Sequence, residues 1–216
     1  MQSPLVNLRT IALFGLLNLV AAIPALSQTV NVVGFGDSLM AGYQLSNTDA
    51  FPIKLENALK ERGYDVRVQN AGVSGDTTSG GLARLNWSVP DGTDLVLLAL
   101  GGNDALRGIT PDITRTNLNQ MIESLQARDI GIILVGILAP PNMGDTYAAT
   151  FNPIFSDLAQ THALTFYPFF LEGVITNPEL LLADGIHPNG AGTKVMVENF
   201  LPLITQYLDE MPNTRQ

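Results

Sequence analysis

Two kinds of apolar pattern alternate along this chain. Residues 30–35 form a short β-branched run that reads as a strand. Phe51, Leu55, Ala58 and Leu59 then recur at helical spacing, and Gly63 stops that segment. Residues 66–68 alternate apolar and polar, as a short strand does, and residues 82–85 read as a helical turn or short helix beyond a flexible loop. Residues 94–100 are apolar on both faces, which a strand covered on each side requires. Thr110-Pro111 opens a helix with Thr110 placed to cap it. Ile113, Leu118, Met121, Ile122 and Leu125 supply its apolar face. Residues 131–138 make a further strand ended by Pro140-Pro141, residues 151–163 a helix, and residues 164–167 the last strand. Asn189 is placed to cap a final helix whose Val195, Met196, Phe200, Leu203, Ile204 and Tyr207 face inward.

This alternation predicts an α/β fold, a three-layer α/β/α sandwich around a mostly parallel sheet of five strands. The loop-like stretches 71–81, 101–110, 139–150 and 171–188 follow strand ends, where sheets of this kind gather their ligands. No internal repeat, low-complexity stretch or interdomain linker interrupts the pattern.

One segment stands outside it. Arg9 precedes an apolar stretch over residues 11–23, and Ala25-Leu26-Ser27 offers small residues at a cleavage site. Residues 1–27 are therefore expected to be a secretory signal peptide, with residues 28–216 as the domain. An uncleaved membrane anchor is the alternative, because the apolar length approaches that of a short span. Export would place the protein in the periplasm or outside the cell. No later stretch is long and apolar enough to insert stably in a bilayer.

Composition narrows the chemistry. The 216 residues suffice for one domain with a sizeable core, and hydrophobic residues make up 46% of them, which argues against disorder. There is no cysteine, so disulfides, thiolate nucleophiles and cysteine-built zinc sites are excluded. The net charge of -9, with basic residues scattered among acids, supplies no footprint for nucleic acid or anionic lipid.

The candidate chemistry lies at the predicted strand ends. Gly34-Phe35-Gly36-Asp37-Ser38-Leu39 follows the first strand and sets Ser38 as a candidate nucleophile, although a serine there can equally cap a turn. His187 in Asp184-Gly185-Ile186-His187-Pro188-Asn189 is the candidate base. Its separation from Asp184 lets the carboxylate accept from Nδ1 and leave Nε2 for the serine. A purely structural His–Asp pair in a capped loop is the alternative. The loop 72–78 can turn tightly enough to aim an amide at the site, and the Asn103 carboxamide after Gly101-Gly102 can donate to an oxyanion. Asn after two glycines is also an ordinary turn signal.

Other motifs fit less well. The third glycine of a dinucleotide fingerprint is replaced by Leu39, Met40 stands where a G-x-S-x-G elbow needs glycine, and no Walker loop occurs. A metal held by His187 and Asp184 alone would be a weak site. His162 reads as a surface or packing histidine. Leu39, Leu106, Ile109, Pro140, Met143 and Ile186 are candidate acyl-pocket residues, several of which could instead close the core.

Four ordered blocks, around Ser38, Ser74-Gly75-Asp76-Thr77, Gly101-Gly102-Asn103-Asp104 and Asp184 to His187, resemble the SGNH or GDSL hydrolase superfamily. Leu106-Arg107-Gly108 and Ala139-Pro140-Pro141-Asn142-Met143-Gly144 resemble its arylesterase and thioesterase/lysophospholipase branch. The resemblance implies a flavodoxin-like strand order and a serine hydrolase with Ser38, His187 and Asp184 as its catalytic residues. It also implies oxyanion donors at the Ser38 amide, the Gly75 amide and the Asn103 side chain, with no cofactor or metal. The expected substrates are small acyl esters, with thioesters and lysophospholipids beside them. A carbohydrate O-acetyl esterase, or a non-catalytic binding protein on the same scaffold, is the competing reading.

Overall fold

A computed structural model describes residues 29–211. The signal peptide expected over residues 1–27 lies outside the described residues. Five strands, β1 (Val30–Gly36), β2 (Val66–Gly72), β3 (Leu95–Ala99), β4 (Gly131–Val135) and β5 (Thr165–Tyr167), form one sheet in the order β2-β1-β3-β4-β5. Every neighbouring pair is parallel. The order is flavodoxin-like, with its switch point between β1 and β3, where open α/β sheets bind ligands.

Among the described residues eight α-helices surround the sheet: α1 (Ser38–Ala41), α2 (Phe51–Lys60), α3 (Thr78–Ser88), α4 (Gly102–Leu106), α5 (Pro111–Gln126), α6 (Asp145–Phe151), α7 (Pro153–Thr161) and α8 (Gly190–Glu210). Helices α2 and α8 pack together on one face, while α3, α5 and α7 line up on the other. Central β3 is buried at all five positions, as its two-sided apolar pattern requires. Phe35, Leu55, Leu97, Phe155 and Phe200 are among the side chains fully enclosed between the layers. Asn189 does cap α8, its side chain accepting from the Ala191 and Gly192 amides.

The structure departs from the sequence pattern at several places, and β4 ends at Val135 rather than running to residue 138. Strand β2 runs on to Gly72 because Gln69 to Gly72 pair with Val33 to Gly36 of β1; their polar composition reflects an edge strand. Helix α3 is 11 residues long and starts four residues before the turn or short helix expected over residues 82–85, its early helical signal masked by Gly80 and Gly81. A Cβ at Gly81 would collide with Leu100, so that glycine permits close helix-to-sheet approach. The helix expected over residues 151–163 is α7, which starts at Pro153, and a further helix, α6, precedes it within the stretch 139–150 expected to be loop; Pro153 has no N–H to return to the preceding turn, so the two do not merge. Ile113 points outward at 46% exposure, and the Thr110 hydroxyl makes no capping bond.

The helix that begins at Ser38 is seated by two glycines. Gly36 stands level with Gly72 on β2 and Ala99 on β3 at the carboxyl edge of the sheet. A Cβ at Gly36 would lie 2.7 Å from the Ala99 carbonyl and 2.8 Å from Met40 Cβ, and one at Gly72 would strike the Ala41 backbone. Fully buried Met40 therefore packs directly onto the strands, and α1 begins as soon as β1 ends.

Candidate active site

Each of the five strands hands one piece of the site to the same edge of the sheet. Ser38 is the first residue of α1, immediately after β1. Its neighbour Asp37 caps that helix, the side chain accepting from the Leu39 amide at 3.0 Å. The loop from β2 to α3 carries Gly75, and α4 after β3 carries Asn103. Leu138 follows β4, and the long segment after β5 brings Asp184, Ile186 and His187.

The structure brings Ser38, His187 and Asp184 into a line. His187 Nε2 lies 2.8 Å from Ser38 Oγ, and Nδ1 lies 2.7 Å from Asp184 Oδ2. The other carboxylate oxygen accepts from the Ile186 and His187 amides at 2.9 and 3.0 Å. These amides, that of His187 foremost, hold the Asp184 carboxyl down at about 2 against the upward push of desolvation. An ionised carboxylate only accepts, so Nδ1 carries the imidazole proton and Nε2 is free to accept from the serine hydroxyl. Tyr43 covers one side of the ring, its centroid 4.5 Å from that of His187.

Burial sets a different state at Asp37. Its side chain is 2% exposed, and desolvation pushes its carboxyl up to about 6. The Leu39 amide and His187 pull it down, while the Asp76 and Asp104 carboxylates push it further up. Asn103 Nδ2 sits 3.4 Å from Asp37 Oδ2, which leaves the second amide hydrogen of Asn103 available to a ligand.

Two buried networks hold the loops that carry Gly75 and Asn103. Asp104, next to Asn103, accepts from the Thr78 amide at 2.8 Å, from the Thr78 hydroxyl, and from Thr114 Oγ1 at 3.1 Å, tying α4 to α3 and α5. Arg84, 6% exposed, donates to Asp76 at 2.6 Å, to the Gly36 carbonyl at 2.9 Å and to the Ala71 carbonyl at 2.8 Å. Its guanidinium also stacks 4.0 Å over the Phe35 ring. Thus one side chain fastens the ends of β1 and β2 directly below Ser38 and Gly75. Gly75 itself takes φ +82, a conformation that disfavours any side chain. Among the described residues neither the Gly75 nor the Ser38 amide has a protein acceptor.

This geometry is that of acyl transfer, and likeness to known proteins agrees with it. Residues 35–195 match the GDSL-like lipase/acylhydrolase family. The chain belongs to that family. An arylesterase of Vibrio mimicus is 45% identical over 154 residues, which cover 71% of this chain and 77% of that protein. Thioesterase 1/protease 1/lysophospholipase L1 of Escherichia coli K12 is 39% identical over 155 residues, covering 71% of this chain and 73% of that one. The crystal structure of AlinE4, an esterase of the SGNH-hydrolase family, superposes with a TM-score of 0.71 at 41% identity, covering 84% of this chain and 97% of its own. Ester hydrolysis is accordingly the reaction class of this acylhydrolase.

The expected acyl-pocket residues of the acylhydrolase scatter around the edge. Leu106 and Ile186 are exposed at 49% and 41%, whereas Leu39, Ile109, Pro140 and Met143 are half-buried. Tyr43, Val73 and Leu138, which pattern reading overlooked, are exposed apolar side chains on the same loops. Asp37, Tyr43 and Arg84 were missed because each gains its role from a residue distant in sequence. His162 lies elsewhere, hydrogen-bonded to Asn119 and Gln126. A separate groove of about 270 Å³ opens at the amino end of the sheet among Asn31, Arg67, Gln69 and Asp91, away from this chemistry. Among the described residues no group of three or more His, Cys, Asp or Glu converges to hold a metal ion. Nor, among them, is any helix long and apolar enough to cross a membrane.

Proposed function

We propose that this chain hydrolyses carboxylic esters through an acyl-enzyme on Ser38. The observation that carries the proposal is the position of His187 between Ser38 and Asp184, at 2.8 and 2.7 Å. His187 Nε2 takes the hydroxyl proton as Ser38 Oγ attacks the carbonyl carbon, and Asp184 holds the ring and balances the imidazolium. The amides of Ser38 and Gly75 and Asn103 Nδ2 receive the oxyanion. Collapse of the tetrahedral adduct expels the alcohol, which takes the proton from His187. Water then enters and attacks the acyl carbon as Nε2 takes its proton, and collapse of the second adduct releases the acid while His187 returns that proton to Ser38 Oγ.

The substrates are acyl esters with a medium-length chain. Tyr43, Val73, Leu106, Leu138 and Ile186 support this reading: they are five exposed apolar side chains on the loops that carry the site. Thioesters and lysophospholipids share the same acyl requirement. Residues 1–27, with Arg9 before an apolar stretch, support export to the periplasm or beyond it.

The test is kcat/KM on p-nitrophenyl esters from acetate to decanoate, with Ser38→Ala as the blank. A Ser38-dependent rate that rises through medium chains is expected. A maximum at acetate would replace the acyl-chain reading with short-acyl or carbohydrate deacetylation. Equal rates with and without the hydroxyl would remove Ser38 from the mechanism.

A further inference from the structure

Gly75 and Asn103 reach the oxyanion from different loops, and the sheet does not join those loops directly. Gly75 follows β2 and Asn103 follows β3, with β1 lying between the two strands. Their spacing therefore depends on side chains. Asp104 ties α4 to Thr78, and Arg84 with Asp76 anchors the loop from the sheet side. Arg84 also holds the Ala71 carbonyl, Val73 N donates to the Gly36 carbonyl, and Asp76 N donates to the Val73 carbonyl, yet none of these bonds links the Gly75 carbonyl to the turn that carries Asn103. The glycine itself, at φ +82, has backbone freedom that would let its peptide swing.

One side chain closes this gap. Arg107 ends α4, where its own amide donates to the Asn103 carbonyl at 3.1 Å. Its Nη2 then reaches across to the Gly75 carbonyl at 2.7 Å. The same residue thus holds the turn that carries Asn103 and the peptide that follows Gly75, which fixes the Gly75 Cα and through it the amide on its other side. Among the described residues Arg107 has no carboxylate partner, and it lies exposed. An exposed hydrogen bond adds little to stability, so its consequence is geometric.

We propose that Arg107 is a positioning residue that holds the Gly75 and Asn103 loops at the separation a tetrahedral oxyanion needs. The inference rests on the reading of Gly75 and Asn103 as oxyanion donors. A donor displaced by a fraction of an ångström binds the ground state nearly as before and the transition state less well.

The experiment is a kinetic cycle on the purified full chain with p-nitrophenyl butyrate, using Arg107→Ala, Arg107→Lys, Asn103→Ala and the Asn103→Ala/Arg107→Ala pair. Arg107→Ala is expected to lower kcat about tenfold, to change KM less than about twofold, and to leave the thermal midpoint in place. Arg107→Lys, with one donor on a long stem, should recover part of the loss. In the Asn103→Ala background the same change should cost less than about threefold, because the hole is already incomplete. Full kcat in Arg107→Ala, a rise in KM alone, or an undiminished loss in the Asn103→Ala background would each overturn the positioning role. Unchanged kcat in Asn103→Ala would instead overturn the oxyanion reading on which it stands.

Discussion

Replacing Asp37 by asparagine should make the protein more stable and less active, with a stability gain that depends on pH. Burial lifts this carboxyl from 3.8 to about 6. At about 1.4 kcal/mol per unit, that lift corresponds to about 3 kcal/mol of penalty on the charged folded state. Between pH 3.8 and about 6 the folded protein keeps a proton that the unfolded chain has released. Stability therefore falls as pH rises through that window and stays lowered above it. Below it both states are protonated and the penalty vanishes. Asparagine carries no charge at any of these pH values, and its Oδ1 can still accept from the Leu39 amide. Its Nδ2 would face the Asn103 amide, however, so the 3.4 Å contact is lost, at a cost of about 1 kcal/mol. The net gain is about 2 kcal/mol at pH 8, falls through zero within the window, and becomes a deficit of about 1 kcal/mol below it. Turnover should fall because Asn103 loses the acceptor that orients its carboxamide. Urea unfolding of both proteins at pH 4, 6 and 8, with kcat measured beside it, checks the reasoning. A stability difference that ignores pH, or a variant less stable at pH 8, would refute it.

The other expectations concern the supports of the site. Gly72→Ala forces a Cβ onto the Ala41 backbone, so α1 must shift; about 1–3 kcal/mol of stability and part of kcat should go together, and an unaffected kcat would show that Ser38 does not depend on this seat. Arg84→Ala leaves the Asp76 carboxylate without its cation and takes one donor each from the Gly36 and Ala71 carbonyls; denaturant unfolding should show a loss of about 3–5 kcal/mol, and less than about 1 kcal/mol would mean that water replaces the guanidinium. Arg84→Lys should recover less than half, since one ammonium cannot serve three acceptors in different directions. Asp184→Asn should lower kcat by orders of magnitude, because the amide no longer selects the Nδ1–H tautomer. Its stability deficit should be present above pH 3.8 and close only as pH falls toward about 2, where the wild-type carboxylate takes up its proton. A deficit that persists at pH 2 would place its origin in packing.

Much of this architecture is legible in linear order because its signals are local. The two-sided apolar run at β3 needs only neighbouring residues to declare a covered strand, and Asn189 declares the start of α8 by its own capping chemistry. Asp184 and His187 share one turn, so their contact at 2.7 Å follows from a three-residue separation. Helix α3 shows the limit. Gly80 and Gly81 look like loop residues, yet they are required by the Asp76 carboxylate and the Leu100 side chain packed against them. Ile113 fits the apolar face of α5 by period and still points to solvent, because periodicity does not say where the neighbouring layer stops.

The amino-acid sequence by itself determined the α/β alternation, the serine, asparagine, aspartate and histidine at strand ends, and the absence of thiol chemistry. All of these depend on residue type and short-range spacing. Only the tertiary structure decided that Asp37 is buried among other carboxylates, that Tyr43 covers His187, and that Arg84 and Arg107 brace loops from different strands. Those properties come from desolvation and from hydrogen bonds between residues tens of positions apart. Their strength depends on where the folded chain excludes water, and no local pattern encodes that.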